Sequence, residues 1–276
     1  MHDISLLPPA VDYQYFSHLF HSNKLISRAD FVFDLQYKYP DNDLRRLKRL
    51  FLQDLSYIQN CRILDLGCHI GFFSYVAAYL GAQSIHGVNA RQFPLEVAKY
   101  ACSELNVTNF KFEQHNIEDL NFLESVCADK DTVILTLVLE HLKNPYAFLE
   151  TISKSKVQNI IFESSIIDDT SPAALKYYFQ STESAFTVYD DDENKKMSVG
   201  ACPNLYWIEE MFYWFGWKIE THHVYHEFNA NHFATPKLEK FPPKTLKKMT
   251  LLAKKFNSKK TLKNYQALQL KNSFEY

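Results

Sequence analysis

Asp65, Gly67 and Gly71 stand in the run CRILDLGCHIGFFSYVAAYL, Cys61 to Leu80, spaced as Asp-x-Gly-x-x-x-Gly. Glycine lets the backbone turn sharply and lets a ligand approach with no Cβ in the way. A loop of this kind presents backbone amides and the positive end of the following helix, which suit a carboxylate or phosphate. Asp65, at the carboxyl end of a short apolar strand, adds an acceptor for an ammonium group or a water. An amino acid-like ligand would be held at both ends. A plain strand-to-helix turn has the same outline, so the rest of the chain must decide.

The elements that position this loop follow from periodicity. Short apolar runs near 62–66, 84–89, 110–114, 132–137 and 158–164 alternate with helical patterns near 72–80, 93–105, 121–127 and 145–154. Alternation of that kind predicts an α/β fold, a parallel sheet covered on both faces. Ligands of such folds lie at the carboxyl ends of the strands, where the strand order reverses. Before the sheet, Asp12 to Phe20 and Asp41 to Ile58 read as helices, the second carrying Leu44, Leu47, Phe51, Leu55 and Ile58 on one side. Its remaining side holds Arg45, Arg46, Lys48 and Arg49, which reads as a solvated face or as a contact for an anionic substrate. After the fifth strand, the polar stretch Ser165 to Cys202 is too long for a simple connection and reads as part of a substrate pocket. Pro203 to Trp217 reads as a helix closed by Gly216 and followed by a strand, Lys218 to Val224.

The loop resembles motif I of class I S-adenosylmethionine-dependent methyltransferases, with His69 where that motif has its middle glycine. The segment Leu139-Glu140-His141 resembles the same family's small-molecule members, and His141-Leu142-Lys143-Asn144-Pro145 is also similar to wobble-uridine transfer RNA methyltransferases. The resemblance implies a Rossmann-like fold with a seven-stranded, mostly parallel sheet flanked by helices. It implies S-adenosyl-L-methionine as cofactor, held by Asp65, Gly67, Cys68, His69, Gly71, Phe72, Asn89, Asn116, Ile117 and Leu137. Asn89 stands where the family has an acid that accepts the ribose hydroxyls, and Asn116 where an Asp accepts the adenine amino group. An amide can accept one hydroxyl and donate to another but lacks the charge that strengthens the bond. Glu118 or Asp119 replaces Asn116 if the register shifts. Glu140 and His141 fall where the transferred methyl should lie. Either they are structural, Glu140 bonding loop amides, or His141 is a general base, its ordinary pKa of about 6.5 leaving it largely neutral at cytoplasmic pH. Phe72 and Phe73 are candidates to surround the cationic sulfur.

Composition sets outer bounds. The 276 residues suffice for one α/β domain with additions, and a formal charge of −2 gives no whole-chain argument for nucleic acid or membrane. Five scattered cysteines without a CxxC pair point to neither disulfides nor a cysteine zinc site, and fit a reducing cytoplasm. No apolar run approaches the roughly 18 residues of a membrane helix. His222, His223, His226 and His232 share no geometry on an alternating strand, and the run Asp190 to Glu193 reads as a surface excursion, so no metal is expected. The expected organisation is a helical cap over 1–60, a methyltransferase domain over 61–235 with a lid at 166–202, and a basic helical extension over 236–276.

Three functions fit. The first is a methyltransferase acting on a small molecule, at an oxygen. The second is a transfer RNA wobble-uridine modifier, carried by 142–145 and the ten lysines between Lys237 and Lys263. The third is a non-catalytic binding module, in keeping with Asn89 and Asn116. The acceptor and the oligomeric state are not encoded legibly.

Overall fold

The order of apolar runs becomes a sheet whose strands are out of sequence order. In a computed structural model of the chain, the described residues are 46–104, 108–181, 197–225 and 246–256. Helix α1 (46–50) leads through a 3-10 turn, Leu55–Tyr57, into β1 (Arg62–Leu66), α2 (Phe72–Tyr79), β2 (Ser84–Asn89), α3 (Gln92–Glu104) and β3 (Phe110–Gln114). Then come α4 (Leu120–Cys127), β4 (Thr132–Thr136), a 3-10 turn at Leu139–His141, α5 (Pro145–Lys154) and β5 (Asn159–Ile167). Strands β6 (Leu175–Ser181) and β7 (Met197–Pro203) precede α6 (Leu205–Trp214), β8 (Trp217–Tyr225) and β9 (Leu246–Lys255).

Seven strands pair in the order β3-β2-β1-β4-β5-β9-β8, parallel except at β9, which runs antiparallel to both β5 and β8. Strand order reverses between β1 and β4, the position where doubly wound sheets open a ligand crevice. Because both faces are covered, successive strand residues serve two cores. Ile63, Ile134, Ile161 and Leu252 pack with Leu47, Leu50, Phe51 and Val76 on one side. Leu64, Val133, Phe162 and Leu251 pack with Phe148, Ile152, Ile208 and Phe212 on the other. Each such side chain contributes about 1.5–3 kcal/mol by burial. Helix starts are set by side-chain caps: Asn144 accepts from Ala147 N with Pro145 at the first turn, and Asn204 accepts from Trp207 N.

Two expectations change. The helix expected over Asp41 to Ile58 is broken within the described part, helical at 46–50 and again only at Leu55–Tyr57. Its basic face is not simply solvated either, because Arg46 is ion-paired inside the protein. The second change concerns the basic helical extension, since residues 246–255 are the seventh strand. Their apolar run Met249 to Ala253 is buried on both faces, which a one-sided surface helix would not allow. Lysines at the strand ends have defined partners. Lys255 donates to the carbonyls of Ser153 (2.7 Å) and Ser155 (2.9 Å), capping the carboxyl end of α5, and Lys247 pairs with Asp168 at 2.7 Å. The helix expected at Asp12 to Phe20, the Asp190 to Glu193 run, His226 and His232 lie outside the described residues.

Candidate functional site

The loop after β1 turns as glycine allows. Gly67 and Gly71 have φ of 74° and 76°, and a Cβ on Gly67 would come within 2.4 Å of Val138 Cγ2, from the segment leaving β4. The two strand exits therefore touch through a position that tolerates no side chain. Not every amide of the loop faces a ligand: Gly67 N and Cys68 N both donate to the carbonyl of Val88, at 2.8 and 3.0 Å. His69 occupies the left-handed region at φ 50° and Leu137, at the exit of β4, does so at φ 54°. Non-glycine residues held there carry strain, and such positions cluster at ligand sites. Here the two lie in the loops after the two central strands.

Asp65 is buried and accepts the Ser74 hydroxyl at 2.6 Å, so its carboxylate lies beneath the loop, against the first turns of α2. Burial raises its pKa to about 7, against the lowering effect of Ser74. His69 is pushed the other way, to about 4, by burial and by the Arg91 charge. Cys68 is buried, and that burial raises its thiol pKa well above the ordinary range. Phe72 is buried beside the loop, while Phe73 has Phe51 stacked at 5.5 Å and the Arg46 guanidinium 4.9 Å from its ring centroid. Phe73 is thus committed to the cap, whereas it had been expected to face the sulfur.

Asn89 ends β2 as expected, half-buried. Its Nδ2 donates to the Arg91 carbonyl at 3.2 Å, leaving Oδ1 as the end that can accept a ribose hydroxyl. Beyond β3, Asn116 Oδ1 accepts from Glu118 N at 3.0 Å, bracing its own turn, and Ile117 is buried. The register-shift alternatives are occupied. Glu118 accepts from Lys143 N at 2.6 Å, and Asp119 caps α4 through the amides of Asn121 and Phe122.

In the turn after β4, Glu140 is buried, with Oε2 accepting the Ser164 hydroxyl at 3.0 Å and Oε1 accepting Ser165 N at 3.1 Å. His141, next in the same turn, is half-exposed, and its amide donates to Val138 O at 2.9 Å. The β6–β7 hairpin from the long insertion packs on this turn. Tyr178 donates its hydroxyl to the Glu140 carbonyl at 2.9 Å, and a Cβ on Gly200 would come within 2.6 Å of that same carbonyl oxygen. The carboxyl end of the sheet therefore gathers Asp65, Gly67, His69, Gly71, Asn89 and Leu137, with Glu140 and His141 in the turn after β4.

Sequence reasoning missed a polar cluster beside them. Glu163 on β5 is fully buried, receives Arg46 Nε at 2.9 and 3.1 Å on its two oxygens, and also accepts the Tyr225 hydroxyl. Burial works to raise its pKa, but Arg46, Lys248 and the hydrogen bonds outweigh it and keep the carboxylate below its ordinary range. One charge inside the apolar run Ile160 to Ile167 was the available signal.

The donor set fits the nucleoside cofactor that the resemblance implies: a strained glycine loop, an acid below it, and a carbonyl acceptor at the end of β2. Comparison with known proteins agrees. The family described as "Methyltransferase domain" matches residues 58–232. A ubiquinone biosynthesis O-methyltransferase of Neisseria meningitidis is 26% identical over 126 residues, 45% of this chain and 52% of that protein. One of Paracidovorax citrulli is 25% identical over 122 residues, 44% and 50% of the two chains. The chain spans about half the length of the curated relatives it matches. Among solved structures, the N-terminal domain of EvdMO1, crystallised with SAH and D-fucose, superposes with a TM-score of 0.56 at 13% identity, covering 78% of this chain and 82% of that one. The [4+2]-cyclase SpnF gives 0.54 at 14%, covering 79% and 82%. A putative S-adenosylmethionine-dependent methyltransferase of Listeria monocytogenes gives 0.52 at 15%, covering 79% and 99%. These likenesses show a shared fold. The chain belongs to the methyltransferase-domain family and has the fold of the class I S-adenosylmethionine-dependent methyltransferases.

Proposed function

We propose that the chain methylates an oxygen of a small molecule by direct displacement. The observation that supports this reading is the contact between the loops leaving the two central strands: a Cβ on Gly67 would come within 2.4 Å of Val138 Cγ2, and Val138 O receives the His141 amide, so the glycine loop lies against the segment that carries His141. The match to O-methyltransferases over 126 residues supports oxygen as the acceptor atom. When bound, S-adenosylmethionine supplies an electrophilic methyl group. The chain's own work is alignment. The loop and Asn89 orient the nucleoside, and the clamped Leu139–His141 turn fixes where the acceptor meets it. His141, on the half-exposed side of that turn, takes the hydroxyl proton, while the buried Glu140 acts as a positioning residue through Ser164 and Ser165.

Titration calorimetry with S-adenosylmethionine, followed by turnover with phenolic and aliphatic alcohol acceptors, tests the proposal. Saturable heat and S-adenosylhomocysteine formation that falls at least tenfold in His141→Ala are expected. No heat and no thermal stabilisation at millimolar cofactor would defeat it. A non-catalytic or differently catalytic binder is the second reading. Asn89 and Asn116 in place of acids favour it, and the [4+2]-cyclase SpnF carries this fold. Cofactor binding without turnover for any acceptor would select it.

A further inference from the structure

Asn204 makes more hydrogen bonds than the start of a helix requires. It opens α6, where its Oδ1 accepts Trp207 N at 2.8 Å, and it is completely buried. Starting a helix needs only that one bond, and Ser, Asp or Asn supplies it about equally well. The rest of the amide reaches away from α6, to the connection between β5 and β6. Its Oδ1 also accepts Ala174 N at 3.0 Å, while Nδ2 donates to the carbonyls of Asp169 at 3.1 Å and Ser171 at 2.7 Å. The main-chain Asn204 N donates to Ala174 O at 2.9 Å, and a parallel bridge sets Asn204 beside Ile167, the last residue of β5. A carboxamide has two donors and two acceptor sites, and all of them are used. An amide is thus demanded at this position by the connection, since the helix alone would accept a serine.

These bonds close the base of the long insertion. The chain leaves β5 at Ile167, passes through 168–174, includes β6 and β7, and reaches Asn204 directly after β7. The outgoing and returning limbs are therefore fastened to one side chain. Strands β6 and β7 pair from Leu175 with Pro203, next to that base, and Tyr178 lies opposite Gly200 farther out. Those two residues are the ones that meet the Glu140 carbonyl oxygen, Tyr178 through its hydroxyl and Gly200 by having no Cβ. Strand geometry puts Tyr178 about 13 Å from Ala174, so a rotation of about 5° at the base displaces it by about 1 Å. A hydrogen bond of 2.9 Å lengthened by that much is lost. A similar misplacement of reacting groups costs about 10²-fold in rate. The hairpin is thus a lever between Asn204 and the turn that carries His141.

We propose that Asn204 is a positioning residue for the methyl acceptor: its amide fixes the base of the β6–β7 hairpin and, through Tyr178 and Gly200, sets where the Leu139–His141 turn stands. This goes beyond the residues named for methyl transfer and rests on the reading of His141 as the group that meets the acceptor. The coupling is reciprocal, so whatever frees the turn from the hairpin also loosens the base.

Asn204→Asp separates the two roles. A carboxylate still accepts Trp207 N and Ala174 N, so α6 keeps its cap, but it meets the Asp169 and Ser171 carbonyls with no donor. In the full chain, amide hydrogen exchange is followed in peptides spanning 139–142, 169–174 and 205–210. The His141 imidazole is followed as the carbon-13 histidine resonance that vanishes in His141→Gln. Asn204→Asp is expected to speed exchange about fivefold or more at 139–142 and 169–174, with 205–210 changed by less than about twofold, and to move the His141 resonance. Tyr178→Phe carries the test should Asn204→Asp fail to fold: by reciprocity it must speed exchange at 169–174 as well as at 139–142. Unchanged exchange at 139–142 with an unmoved His141 resonance overturns the proposal. Equal acceleration of every peptide does so too, as does a Tyr178→Phe whose effect stops at the turn. S-adenosylhomocysteine is titrated by calorimetry into the unaltered chain and the variant, and equal affinity is expected. A fall beyond about threefold in the variant overturns the assignment to the acceptor side. Absence of binding by the unaltered chain overturns the methyltransferase reading itself, whatever the exchange shows.

Discussion

Tyr178 donates its hydroxyl to the main-chain carbonyl of Glu140 at 2.9 Å, joining the hairpin of the long insertion to the turn that follows β4. The Glu140 side chain is meanwhile bonded to Ser164 and Ser165 of β5. The turn bearing His141 is therefore held from two directions, by main chain and by side chain, and its position depends on both.

Removing either hold has a distinct cost. Glu140→Ala removes the acceptor of the half-buried Ser165 amide and of the buried Ser164 hydroxyl and is expected to lower stability by about 1–3 kcal/mol, against about 1 kcal/mol for Tyr178→Phe. Urea unfolding measures both. Glu140→Gln retains an acceptor for Ser165 N and should recover most of the loss. If the turn positions the acceptor, Tyr178→Phe lowers kcat more than it changes cofactor affinity.

On the proposed reading, Asn89 meets the ribose with a neutral amide oxygen, its Nδ2 donating to the Arg91 carbonyl. Asn89→Asp replaces a neutral hydrogen bond by a charge-assisted one, worth about 1–2 kcal/mol more, so cofactor affinity should rise roughly 5- to 30-fold. Calorimetry with S-adenosylhomocysteine at fixed pH decides; unchanged or weaker binding means that Asn89 does not contact the ribose.

Asp65 and His69 give the ligand-free protein an unusual pH profile. Asp65, with a folded pKa near 7 against an ordinary 3.8, keeps its proton in the folded state where the unfolded chain has lost it. Its contribution therefore declines as pH rises from about 4 to 7. His69, with a folded pKa near 4 against 6.5, stays neutral in the folded state while the unfolded chain protonates, so its contribution grows with pH over about 4 to 6.5. The two oppose each other in the lower window, and only Asp65 acts above it. Thermal midpoints should be flat at mildly acid pH and fall between about 6.5 and 7.5. In Asp65→Asn the fall should vanish and the acid-side rise from His69 should emerge.

Gly67 is constrained twice, by its φ of 74° and by Val138 at 2.4 Å from the position of a Cβ. Gly67→Ala should cost about 1–2 kcal/mol for the backbone and about 1–3 kcal/mol for the contact. Adding Val138→Ala removes the second part only. The double variant should thus unfold less readily than the sum of the single effects implies.

Much of this architecture was legible because local and long-range signals coincide. The apolar run Ile63 to Leu66 can only be a central strand, and Gly67 and Gly71 follow it directly. Asn204 and Gly216 bracket α6 as its start and stop. Strand β9 was missed because Met249 to Ala253 is short and flanked by lysines. Without knowledge of its neighbours, the pattern reads equally as one face of a basic helix. Arg46 was misread for a related reason: a charge on a helix is solvated by default, and only the fold brings Glu163 opposite it. Within the site, Asn89 and the glycines could be placed from position alone. That Gly67 and Cys68 spend their amides on Val88, that Asn116 braces its own turn and that Phe73 serves the cap are facts of three-dimensional contact, which no spacing encodes.

Strand β9 also sets the order in which the fold can close. Strand β8 is synthesised before β9 yet reaches the sheet only through it, so that edge of the protein stays open until residues 246–255 arrive. Lys248 and Thr250 travel with that strand. A nascent chain can thus pair β1 to β5 well ahead of that edge, and a nonsense change upstream of residue 246 would leave β5 with an unpaired edge prone to association.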